Sequence, residues 1–209
     1  MQKTIIGADF SINKPAFCTF KDKKYSFMSF PFGLSKKNTD LFRDSGISLI
    51  NRTDKKYKGS DSSIKMRWEV ENSIYLSNLI AFNLFKETDP KNSIVIFEGF
   101  SYASTGKVAL QLGGYKYILM SVFNEYGVDF ENMITYPPIS IKKTADCAKK
   151  GMGKKEMIDA FLKNSNKNIL KNKINNNKEA FLKSTGKYID HLDDLIDAYW
   201  AVETYFDKL

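Results

Sequence analysis

Apolar and β-branched residues from Thr4 to Ala8 open the chain and predict a first strand. Phe17-Cys18-Thr19-Phe20 and Tyr25-Ser26-Phe27-Met28 flank a Lys-Asp-Lys-Lys turn, so the amino-terminal part reads as a β-meander. From Pro31 to about Lys65 the pattern turns polar and glycine-punctuated, which predicts a long loop or insertion able to touch a substrate. Trp68, Ile74, Leu76, Leu79, Ile80, Phe82 and Leu84 then recur at helical spacing and stop before Asp89-Pro90, predicting a helix of about five turns. Ser93-Ile94-Val95-Ile96-Phe97 is a short apolar run of the kind found in buried strands, and it delivers Glu98 at its end.

A second long helix is predicted over Lys107 to Tyr126, and a strand over Asn132 to Tyr136 that Pro137-Pro138 terminates. Lys154 to Leu162 reads as a short helix. Lys163 to Lys178 is mostly Asn and Lys and reads as a solvated helix or mobile loop. Leu192, Leu195, Ile196, Tyr199, Trp200 and Val202 mark a last helix over Asp190 to Phe206 that must pack back on the sheet. Strands first, then alternating helices and strands, predict a mixed α/β sheet in one domain over 1–209.

Composition changes this picture in two ways. Lys and Arg number 32 against 24 acidic residues, for a formal charge of +8, which suggests a polyanionic partner such as nucleic acid. An AT-rich coding sequence would give the same Lys and Asn excess. No apolar run approaches the roughly 20 residues of a membrane span, and the amino terminus lacks the pattern of a signal peptide, so a cytoplasmic protein with no membrane partner is expected. The two cysteines, Cys18 and Cys147, lie far apart without zinc-ligand spacing and are expected as reduced thiols.

Two phosphate-loop patterns can be weighed. Ser93 to Val108 has the strand, loop, helix outline, but Ser101 stands where glycine is needed and Val108 where a hydroxyl should reach Mg²⁺. Gly151-Met152-Gly153-Lys154-Lys155 offers N–H groups and charge at a helix start, in too short a pattern to carry an assignment. The carboxylates say more. Asp9 and Glu98 both interrupt apolar strand contexts, where an acid is costly unless it faces a site. Asp194 and Asp197 lie three apart on the last helix and share a face. Together the four form a candidate carboxylate cluster for hard cations, since Mg²⁺ prefers oxygen ligands. Favourable placement at a helix N-terminus is the plainer reading of the terminal acids, and Asp193 rivals Asp194.

The order of these pieces resembles the RuvC-type Holliday-junction resolvases of the RNase H-like superfamily, phage and viral members included. The matching segments are Ile6-Gly7-Ala8-Asp9-Phe10-Ser11, Val95-Ile96-Phe97-Glu98-Gly99, Leu110-Gln111-Leu112-Gly113, Tyr136-Pro137-Pro138 with Ile141-Lys142-Lys143, Gly151-Met152-Gly153-Lys154, and His191-Leu192-Asp193-Asp194-Leu195-Ile196-Asp197-Ala198. The resemblance implies an RNase H-like mixed five-stranded sheet flanked by helices, and a homodimer that nicks two strands of a four-way DNA junction. It implies Asp9, Glu98, Asp194 and Asp197 as catalytic metal-binding acids for two Mg²⁺ or Mn²⁺ ions. Lys142, Lys143, Lys154 and Lys155 fall where the family contacts DNA. Tyr117 stands where the family usually has a small residue, and the 31–65 and 163–187 segments are longer than the bacterial pattern. If the source is viral, the host cytoplasm is the expected compartment.

Phe100 and Tyr102 are candidates to stack on an unpaired base, core packing being the plain alternative. His191, the only histidine, reads either as a helix-start residue with an ordinary hydrogen bond or as an aid to proton transfer or cation binding. The expected activity is that of a metal-dependent, structure-specific DNA endonuclease. The alternatives are an RNase H-like nuclease on hybrid or flap substrates, and a basic nucleic-acid-binding protein without catalysis.

Overall fold

The computed structural model describes residues 3–50, 52, 54, 57–99, 106–164 and 168–209, with the backbone alone for 106–110. β1 (Thr4–Asp9), β2 (Ala16–Lys21) and β3 (Lys24–Ser29) form the expected meander, followed by α1 (Lys36–Asp44) and β4 (Ile47–Leu49). Next come α2 (Ser62–Phe85), β5 (Ser93–Glu98), α3 (Gly106–Glu125), β6 (Met133–Tyr136) and α4 (Pro138–Thr144). α5 (Lys154–Lys163), α6 (Ile169–Asn176) and α7 (Leu192–Asp207) complete the described strands and α-helices. The sheet order is β4-β3-β2-β1-β5-β6. β1 pairs antiparallel with β2 and parallel with β5, and β6 is parallel to β5, so the sheet is mixed as expected.

The sheet has six strands rather than five, because the segment read as a polar insertion folds. Ser35 caps α1, whose only buried residue is Phe42, and Ile47 sinks into the core as β4 pairs in parallel with β3. Two apolar anchors in a polar stretch are too few to produce a readable period. The helix after it also starts earlier than its apolar pattern, at Asp61, whose carboxylate accepts from the N–H groups of Ser63 and Ile64. Likewise, the Asn/Lys-rich stretch contains a packed helix, α6, anchored by buried Leu170 and Ile174.

Strand alternation sorts the core into two layers. Ile6, Ala8, Val95 and Phe97 face one side and pack with Leu76, Ile80, Leu119 and Phe123 of α2 and α3. Ile5, Ile94 and Ile96 face the other and pack with Leu195, Ile196, Tyr199 and Val202 of α7, along with residues of α4 to α6. Asp9 and Glu98 belong by parity to this second face. α7 crosses β1 at Gly7, where a Cβ would lie 2.0 Å from the carbonyl oxygen of Ala198. Only glycine permits that approach. Both cysteines are buried free thiols. No helix among the described residues is long and apolar enough to cross a membrane.

Candidate active site

Parallel pairing sets Ala8 opposite Phe97, so the next residues, Asp9 and Glu98, stand side by side at the carboxyl ends of two central strands. The close crossing at Gly7 then lowers the first turns of α7 onto them, with Asp194 and Asp197 one turn apart. Asp9, Glu98, Asp194 and Asp197 line a single cavity of about 380 Å³. Lys142 and Lys154 line it too, with Pro138, Ile141, Gly153 and Met157. Pro138 occupies the first turn of α4, where its missing N–H costs nothing, and the helix carries Lys142 to the rim. Glu156 accepts a hydrogen bond from the Gly153 N–H at 2.7 Å, which closes the start of α5 and sets Lys154 at the mouth.

Burial and mutual repulsion govern the charges here. Burial pushes the Asp9 carboxyl well above the usual range, with repulsion from Asp194, Asp197 and Glu98 adding to it against the pull of Lys154. Burial also raises Glu98, against the pull of Lys116, Lys142 and Lys154. Asp197 is pushed up to about 7, first by burial and then by Glu98 and Asp193. Asp197 therefore keeps its proton up to near neutral pH unless other positive charge enters the cavity. Among the described residues, no three acid, histidine or cysteine side chains converge into a ready-made metal cage. The donor set is nonetheless all carboxylate oxygen, which fits a hard cation such as Mg²⁺ that keeps waters and takes substrate oxygens as further ligands.

The rival acids separate. Asp194 lines the cavity and accepts from His191 Nδ1 at 2.8 Å, whereas Asp193 turns to an adjoining cavity and pairs with Lys154. Burial disfavours the Lys154 charge, but the Asp193 hydrogen bond and the attraction of Asp193, Asp194 and Asp197 outweigh it and raise its pKa. Lys155 lines the adjoining cavity with Lys183 and Lys187, and Lys143 is exposed on α4 away from both. Phe100 and Tyr102 lie outside the described residues.

Sequence reading missed Lys116. The residue is 8 % exposed, its ammonium donates to the Glu98 carbonyl, and burial lowers its pKa against the attraction of Glu98 and Asp9. The signal was present: Lys116 sits three residues before Leu119 and seven before Phe123, on the stripe of α3 that faces the core. A charge on that stripe points to a partner inside the protein.

Neither a protein-family model nor a curated protein sequence matches the chain. Solved structures do. One of Thermus thermophilus RuvC superposes with a TM-score of 0.53 at 12% identity, over 98% of this chain and 96% of that one. T. thermophilus RuvC in complex with a Holliday junction substrate gives 0.51 at 12% identity, over 99% and 96%. A fowlpox virus resolvase with its substrate Holliday junction DNA covers 98% and 97% at 19% identity, but its TM-score of 0.45 adds nothing to the argument. The chain therefore has the fold of RuvC, an RNase H-like mixed sheet flanked by helices, with its four candidate acids gathered at one end of the central strands.

Proposed function

We propose that this protein is a divalent-metal-dependent endodeoxyribonuclease that resolves four-way DNA junctions by paired nicking, acting as a homodimer. The observation that carries the reading is the cavity itself: four carboxylates from β1, β5 and α7, flanked by two lysines, on a fold shared with RuvC. Mg²⁺ or Mn²⁺, two ions per site, would supply Lewis acidity, a water of lowered pKa and charge neutralisation at the leaving oxygen. Asp9, Glu98, Asp194 and Asp197 would hold them.

The chain's own part is binding and orientation. Lys142 and Lys154 face the cavity from two separate helices and can hold the phosphates on either side of the scissile bond. Lys116 fixes the end of β5 from beneath, so that Glu98 is presented from a rigid strand. The net charge of +8 supports approach to a polyanion.

Among the described residues each chain has one four-acid cavity, which cannot meet two opposed strands, whereas a two-fold dimer can. Its surface is the outer side of α2 and α3. One stripe of α2 steps through Met66, Val70, Ser73, Ser77, Ile80 and Leu84; the last four are buried, while the apolar Met66 and Val70 are 66% and 45% exposed. Leu112 and Tyr117 of α3 are 38% and 65% exposed. Within α3, Tyr115, Leu119 and Val122 are instead buried inside the protomer.

The test is a substrate panel: four-way junction, duplex, flap and RNA–DNA hybrid offered side by side with Mg²⁺ or Mn²⁺. Symmetric nicks confined to the junction support the reading. Preferred cleavage of hybrid or flap reassigns the substrate, and binding without cleavage of any of them overturns the nuclease.

A further inference from the structure

We propose that His191 is a positioning residue that sets the carboxylate of Asp194, braced from behind by Ser29. This rests on the reading of Asp194 as a cation ligand and goes beyond it. His191 is fully buried at the junction between the preceding loop and α7. Its Nδ1 lies 2.8 Å from Asp194 Oδ2, and because a carboxylate accepts, the ring N–H sits on Nδ1. Its Nε2 hydrogen-bonds Ser29 Oγ on β3. Ser29 is itself fully buried, and its Oγ is 3.1 Å from the Pro15 carbonyl oxygen in the turn between β1 and β2.

This Ser, His, Asp chain is not a nucleophilic triad. The serine hydroxyl is sealed in the core, and neither Ser29 nor His191 lines the cavity. The only member that meets substrate space is Asp194, so whatever the chain does, it does through that carboxylate. With Oδ2 held by the ring, Asp194 loses rotamer freedom and keeps Oδ1 for the cavity.

The backbone gives a second, independent sign. His191 has φ +80°, in the left-handed region that favours glycine or asparagine, directly before the first residue of α7. That conformation folds the imidazole back over the first helical turn, where it reaches the residue three further on. Holding a bulky residue there is strained and persists only when the surroundings over-determine it. Here the two hydrogen bonds do so, together with Phe42 of α1, whose ring meets the imidazole edge-on at 5.9 Å. The folded insertion thus reaches the acid cluster from the protein side, as the wall behind His191.

The experiment is Mn²⁺ binding to the DNA-free protein by calorimetry, with thermal melting alongside. His191→Gln keeps a polar amide near the Nε2 position and loses the donor facing Asp194. His191→Asn places an amide near the Nδ1 position and suits the left-handed backbone. His191→Gln should bind Mn²⁺ about 10-fold more weakly, the usual cost of removing a group that orients a ligand. His191→Asn should keep most of the wild-type affinity, and in an Asp194→Asn background His191→Gln should add no further loss. Wild-type affinity in His191→Gln, or an equal loss in the Asp194→Asn background, would overturn the proposal and leave His191 a core residue. A wild type that binds no Mn²⁺ would instead defeat the cation reading beneath it.

Discussion

The cavity and the outer side of α2 and α3 break the inside-outside rule in opposite directions. One places four carboxylates at the edge of the core, with Asp9 and Asp197 driven toward their neutral forms. The other leaves Met66 and Val70 in water on a stripe of α2 that is core further along the same helix, with Ile74 of α2 and Tyr117 of α3 also exposed. Each arrangement lowers the stability of an isolated protomer, and each is relieved by something a protomer lacks. Opposite charge relieves the first; covering apolar surface relieves the second. The difference matters for variants. Neutralising an acid should spare or raise stability while removing function, and adding a charge to the apolar stripe should spare chemistry while removing assembly.

The largest expected effect is at the acids. Asp9→Asn, Glu98→Gln, Asp194→Asn and Asp197→Asn should each lower junction cleavage by about a thousandfold, the scale of losing one group that stabilises transition-state charge, with binding largely retained. Asp193→Asn should lose less, since Asp193 faces the adjoining cavity. Gel cleavage and band-shift assays on the same preparations check this; an active Asp194 variant beside a dead Asp193 variant would exchange their roles.

On the apolar side, Val70→Glu should halve the mass seen by light scattering and convert paired nicks into single ones, because Val70 lies on the bare part of the stripe. A dimeric Val70→Glu protein would move the interface elsewhere.

A smaller effect sharpens the electrostatic half of the comparison. Between about pH 4 and 7 the folded protein keeps a proton on Asp197 that the unfolded chain has released, so metal-free stability falls as pH rises through that window. Asp197→Asn lacks this penalty. It should melt above the wild type at pH 8, with the gap closing toward pH 4, and each kcal/mol relieved raises Tm by about 2–4 °C. Melting curves across that range, with and without Mg²⁺, measure it; a gap independent of pH would remove charge repulsion as its cause.

The smallest effects belong to the lysines. Lys142→Ala or Lys154→Ala should weaken junction binding across sequences and flatten the salt dependence by about one unit of slope each. Lys143→Ala, on a residue away from the cavity, should do neither to the same extent. Titrations at several salt concentrations separate them.

Much of this arrangement was legible in the chain because it rests on local rules. Asp9 and Glu98 could be singled out since each ends a strand whose interior positions are apolar, and strand parity puts both on the α7 face. Asp194 and Asp197 follow from helical spacing. What escaped depends on long-range partners. α1 and β4 are held by Phe42 and Ile47, whose burial comes from packing with α7 and its neighbours rather than from a repeating pattern. Ser29 meets His191 across 162 residues, a pairing that no spacing announces. Lys116 was readable as a charge on a buried stripe, yet its neighbours Tyr115 and Tyr117 masked the stripe's edge.

If the four-acid cavity is the seat of catalytic cations, anomalous scattering from crystals soaked in Mn²⁺ will locate them there. Mn²⁺ is expected in that cavity, ligated by carboxylates from among Asp9, Glu98, Asp194 and Asp197, and lost in the Asp197→Asn variant. A cavity free of Mn²⁺ in a crystal of protein that still cleaves junctions in solution would contradict it.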